Sequence, residues 1–122
     1  MDLQTSIYEN TIDPAIADDA LPLCVLAKNF EEAGEFDRAA EAISPFWSGP
    51  STRPNITGLT EEAQAELLLR AGTLTGWLGS AKQVRGAQER AKDLISESAS
   101  RFERLGLSEK VAESRVDLAI CY

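Results

Sequence analysis

The sequence contains no histidine, only two cysteines, one methionine and few aromatic side chains. Without histidine the chain lacks the commonest general base and the commonest metal ligand. Neither Cys24 nor Cys121 therefore has the imidazole partner that would make a nucleophile–base pair. The two do not form a CxxC motif and lie in apolar stretches of helical period, which reads as buried free thiols rather than a disulfide. No apolar run approaches the ~18 residues that a membrane span requires. The opening segment, residues 1–13, has neither a basic start nor an apolar stretch, so no signal peptide is expected and the cytoplasm is the default compartment. A Gly-rich phosphate loop is missing as well. Gly76-Trp77-Leu78-Gly79-Ser80 lacks the Lys-Ser/Thr ending and follows a helical pattern, not a strand. These absences together predict a non-enzyme with no catalytic residue, no cofactor and no metal site.

Basic charge is scarce in the first half. Residues 1–62 carry twelve acidic and three basic side chains, whereas residues 63–122 carry eight and nine. The net charge of −8 argues against direct nucleic-acid contact, which needs a basic face. The acidic excess reads either as a solvated surface or as a face that attracts basic partners. Glu31, Glu32, Glu35 and Asp37 cluster at one turn without the alternating spacing of a calcium loop, so a solvated acidic turn is expected there.

What the chain has in quantity is helical period. Leu23, Leu26, Ala27 and Phe30 repeat at i, i+3, i+4 and i+7, and Phe36, Ala39, Ala40 and Ile43 do so again after Gly34. A helix from about Ala20 to Ala33, a Gly turn and a helix from about Phe36 to Phe46 make an αα-hairpin. Asp18 and Asp19 supply negative charge at its start. Residues 48–59, with two prolines and two glycines, form the one clear loop. Thr60 then opens a helix carrying Leu67, Leu68, Ala71, Leu74 and Leu78. Gly72, Gly76 and Gly79 inside it predict close approach of a neighbouring helix. A long helix follows from about Val84 to Leu105, with Glu97 and Arg101 paired at i, i+4 and Gly106 closing it. Ser108 caps a last helix whose buried side is expected to hold Val111, Ala112, Val116, Leu118, Ala119 and Tyr122. The fold class is all-α.

The order Leu26, Ala27, Phe30, Gly34, Phe36, Ala39, Ile43, Pro45 resembles a tetratricopeptide (TPR) repeat, with Leu23 where that family usually has Trp. Gly72 and Ala119 take the place of Ala27 in two further copies. The resemblance implies an α-solenoid of antiparallel hairpins, about two and a half units. An N-terminal segment, 1–18, either disordered or capping, would precede a repeat domain spanning 19–122. Within it come a first hairpin (19–47), a loop (48–59), a second hairpin (60–106) and the first helix of an incomplete third unit (107–122). Residues 91–122 also look like helical-repeat regions of bacterial signalling and transcription regulators. That likeness implies the N-terminal part of a larger regulatory protein.

In such arrays the first helix of each hairpin lines a concave groove, so the resemblance implies a protein or peptide partner. The candidate groove is Cys24, Lys28, Glu31 and Glu32 from the first unit, Leu69, Thr73 and Trp77 from the second, and Val116 and Ile120 from the third. Leu21, Glu66 and Glu113 lie on the same expected faces. Trp77 belongs either to this groove or to the core against the long helix. The alternative function is a structural cap or spacer with no ligand of its own, self-associating through the uncovered face of residues 108–122.

Overall fold

Five helices follow from the periodicity: α1 (Ala20–Glu32), α2 (Phe36–Ala42), α3 (Glu61–Ala81), α4 (Ala87–Leu105) and α5 (Ser108–Ile120). The computed structural model describes residues 17–120, and no strand occurs among them. The expectations for residues 1–16, Cys121 and Tyr122 lie outside the described residues.

Local chemistry sets the element ends. Gly34 takes a left-handed φ of 77° and the Glu35 amide returns to the Phe30 carbonyl at 2.8 Å, which turns α1 into α2. α2 stops at Ala42, short of the expected Phe46. Pro45 disfavours the helical conformation of Ser44 just before it. Phe46 and Trp47 are nevertheless buried, and the Trp47 indole donates to the Thr52 carbonyl at 3.1 Å. The 48–59 connection is fastened to α4. Arg53 makes two 2.8 Å bonds to Glu97, and Arg90 donates to the Pro50 carbonyl at 3.0 Å. Thr60 caps α3 by accepting from the Ala63 amide. α4 starts at Ala87 rather than Val84, because Gln83 and Gly86 both adopt positive φ, 55° and 74°. Glu97 and Arg101 pair as expected, at 3.1 Å.

α3 is buried almost all round, as its run of Leu and Ala dictates for a central helix. It packs antiparallel to α4: Gln64 meets Arg101, Gly72 meets Leu94 and Ile95, and Gly79 meets Ala87. A methyl group on Gly72 would sit 2.7 Å from Ile95 Cγ1, and one on Gly79 would collide with the Ala87 methyl. The helix propensity given up at each glycine, about 1 kcal/mol, is the cost of bringing the two axes together. Ala27 and Ala39 are fully buried in the first hairpin, as expected of its small residues.

Two faces differ from the expected ones. In α1 the buried residues are Ala20, Cys24 and Ala27, whereas Val25 and Leu26 are exposed. Small side chains allow the close contact, so the inner stripe is rotated away from the larger leucine. In α5, Val111 and Ser114 are buried and Leu118 is half-buried, while Ala112, Val116 and Ala119 are exposed. The α4–α5 contact is again made by small groups, the hydroxyls of Ser98 and Ser114 lying 3.5 Å apart.

Candidate interaction face

α3 carries a charge inside an apolar run, Leu67-Leu68-Leu69-Arg70-Ala71, and burying it obliges the fold to supply acids. The Arg70 side chain is 2% exposed. It donates to Glu31 Oε1 of α1 at 2.8 Å and to Glu113 Oε2 of α5 at 2.6 Å. Glu66, one turn back on α3, lies 3.8 Å away and Asp117 of α5 lies 3.7 Å away. Two lysines complete the cluster. Lys110 bridges Glu66 (3.0 Å) and Glu113 (3.3 Å), and Lys28 reaches from α1 to Glu113 at 3.1 Å. Four carboxylates thus surround three cations. The contacts rise together along α3 and α5, 66 with 110, 70 with 113 and 73 with 117. The two helices therefore run parallel on one side of the molecule.

The electrostatics follow from this sharing. Burial lifts the Glu31 carboxyl to about 7 against the pull of Arg70, because one guanidinium is divided among four acids. Glu31 Oε2 and Arg70 Nε are buried with no hydrogen-bond partner among the described residues. Burial also raises Asp117. Glu113 is desolvated too, yet Lys28, Arg70 and Lys110 hold it below the usual carboxylate range.

The cluster corrects the expected groove. Lys28 and Glu31 from α1 and Glu113 from α5 meet over α3, so the middle of the face expected to be a groove is filled by the chain's own ion pairs. Cys24 and Leu69 are not groove residues. Cys24 is buried in the first hairpin, its thiol pushed up to about 12 chiefly by burial, which leaves it inert. Leu69 is buried with Ile95, Phe102 and Val111 between α3, α4 and α5. Glu32 is exposed beside the turn, where Glu35 pairs with Arg38 and Asp37 with Lys82. No three His, Cys, Asp or Glu side chains among the described residues are placed so that they could hold a metal ion.

Three of the expected residues do come together. Thr73, Trp77 and Ile120 line an open pocket of about 190 Å³ with Gly76, Ser80, Gln88 and Asp117. The Thr73 hydroxyl donates to Asp117 Oδ2 at 3.3 Å. Trp77 stacks on Phe36 at 4.9 Å and 11° between planes, and is still 45% exposed. It is a surface aromatic braced by the first hairpin, not a core residue against α4. A more open depression of about 450 Å³ lies along the α1–α2 turn and also touches Trp77. Val116 and Ile120 stand exposed on α5. No known protein family, curated protein or solved structure matches the chain.

Arg70 and Asp117 were not among the expected site residues. The signal for Arg70 was present: a single cation in an apolar run, four residues after Glu66 on the same helix face. Asp117 became legible only when the parallel register placed it opposite Thr73.

Proposed function

We propose that this chain is a protein-interaction module of TPR-like repeat type that binds a peptide segment along the α3–α5 side. The observation that carries the reading is Trp77, a large aromatic held half-exposed at a pocket and fixed by its stack on Phe36. Binding hot spots are enriched in Trp, and a braced ring loses little freedom on binding. The parallel placement of α3 and α5 with α4 antiparallel between them in sequence supports the repeat reading, as does the Gly34 hairpin turn. No helix among the described residues is long and apolar enough to cross a membrane. Membership of a larger bacterial regulator is part of the same proposal.

A screen of a randomised peptide library against the chain tests it. Selected peptides are expected to lose affinity on Trp77→Ala by about 2 kcal/mol or more, the scale of a hot-spot residue. Peptides that bind that variant as well as the parent would remove Trp77 from the interface and this reading with it.

A second reading is self-association through α5, favoured by Val116 and Ile120 at 61% and 59% exposure. A pair of identical copies is the commonest closed arrangement for one apolar patch. Sedimentation velocity at ~100 μM, above the micromolar range of weak contacts, should show a dimer that Val116→Asp abolishes. A strictly monomeric parent chain would exclude it.

A further inference from the structure

We infer that the bound segment crosses Trp77 in the extended polyproline II conformation, with an uncharged proline in the depression on each side of the ring. The inference rests on the peptide-binding reading above and names the chemistry and the conformation of its ligand.

Trp77 belongs to two depressions at once. Toward α5 it lines the pocket of about 190 Å³ with Gly76 and Ile120. Toward the first hairpin it lines the one of about 450 Å³ with Phe36, Leu78 and Ala81. Phe36 belongs to the second and not to the first, so the ring meets the α5-side pocket away from its stacked partner. A single braced indole thus stands as a ridge between two hollows. A helix with its side chains is about 10–12 Å across, which sets hollows on the two flanks of α3 on the order of 10 Å apart. One compact side chain cannot fill both.

The charges in both hollows are matched within the chain. Asp117 has Arg70 at 3.7 Å and the Thr73 hydroxyl at 3.3 Å, and Gln88 donates to the Gly76 carbonyl at 3.4 Å. On the other side Glu35 pairs with Arg38 at 3.4 Å and Asp37 with Lys82 at 3.7 Å. A charged occupant would have to displace one of these partners to be compensated. The apolar surfaces left to a ligand are the indole, Phe36, Ala81 and Ile120. The complementary groups are therefore uncharged at both points of contact.

Proline suits the two hollows better than a longer aliphatic chain. Both are open to solvent, so an occupant is only partly covered and gains little burial to set against lost freedom. Leucine or methionine gives up rotamers on binding, whereas proline has none to lose. The polyproline II helix is already extended and rises about 3.1 Å per residue with three residues per turn. Residues i and i+3 therefore share one face about 9 Å apart, close to the separation of the hollows. Aromatic-lined surfaces recognise such segments in this way. The α5-side pocket also has the size for one ring, since a cavity of about 150 Å³ holds benzene.

The test uses the whole chain and peptides selected against it from the randomised library. Enriched sequences should share two prolines three residues apart. Replacing either proline with alanine should weaken binding about tenfold. Ile120→Asn changes an exposed side chain of the α5-side pocket only. On that variant one proline should lose its effect while the other keeps it. Affinity should stay within about twofold between roughly 0.05 and 0.5 M salt, because no charge pair forms across the contact. On the unaltered chain the Trp77 indole resonance should move with the peptide, while the Trp47 indole, bonded to the Thr52 carbonyl, stays in place. Peptides that lose affinity on Trp77→Ala but lack the paired prolines, or whose binding falls tenfold with salt, would refute this inference and leave the binding module standing. A library that yields no binder would overturn both.

Discussion

Replacing Arg70 with Met is expected to destabilise the chain by about 3–5 kcal/mol near neutral pH, the range found when one partner of a buried ion pair is removed. Methionine approximates the aliphatic stem, so the loss is of charge and hydrogen bonds rather than volume. The guanidinium touches acids from three helices, Glu31 of α1, Glu66 of α3, and Glu113 and Asp117 of α5. Removing it leaves these carboxylates facing one another in a desolvated space, with Lys28 and Lys110 shared among them. Since whole domains are stable by only about 5–15 kcal/mol, the variant should unfold at much lower denaturant or not fold. The same reasoning sets a control. Acidification protonates the stranded carboxylates, so the deficit of the variant should be smaller at pH 5 than at pH 7.5, because desolvated acids without their cation take up protons above the ordinary carboxylate range. Denaturant titrations of both proteins at pH 5 and 7.5 decide the matter. A deficit under about 1 kcal/mol, the worth of a surface pair, would show that the cluster is solvated.

A buried cluster of this kind contributes less to stability than its breakage suggests, because its formation first strips water from seven charged groups. What it does fix is position. α1 and α5 have little apolar contact with each other, yet Lys28, Glu31 and Glu113 tie both to one point on α3. The tie holds α1 and α5 against α3 and leaves the Trp77 pocket open beside it.

These tertiary ties separate what the sequence discloses from what it withholds. Helical period, the Gly34 turn, the Thr60 cap and the close contacts at Gly72 and Gly79 are local rules, and all four are legible along the chain. The face a helix turns inward is decided by its neighbours. Scoring apolar residues favoured Leu26 for the interior of α1, while the fold turns Ala20, Cys24 and Ala27 inward and leaves Leu26 at 43% exposure. The site was half legible for the same reason. Trp77 and Thr73 lie four residues apart on α3, a spacing that puts both on one side of a helix. The ion pairs that close the middle of that side depend on distances between α1 and α5, which no local pattern encodes.

Stability should fall as pH rises from about 5 to 8, and Glu31→Gln should flatten that dependence. Burial raises the Glu31 carboxyl to about 7 in the folded chain, from 4.5. In this window the native state keeps a proton that the unfolded state has released, so unfolding becomes easier with each step up in pH. The gap corresponds to about 3 kcal/mol at 1.36 kcal/mol per unit, present as extra stability below pH 4.5 and gone above pH 7. Asp117, also raised by burial, acts in the same sense from a lower starting point. Glu113 and Glu97 are lowered by their basic partners and act in the opposite sense. Their stabilisation is complete above the ordinary carboxylate pKa and is lost as pH falls through their folded values, so it lies outside the window. No histidine is present to titrate there. Glutamine keeps an oxygen for Arg70 and cannot ionise, so the variant should match the parent near pH 5 and exceed it near pH 8. Urea midpoints measured across that range are the readout. Parallel profiles for the two proteins would mean that Glu31 is already ionised at pH 5, with Arg70 outweighing burial.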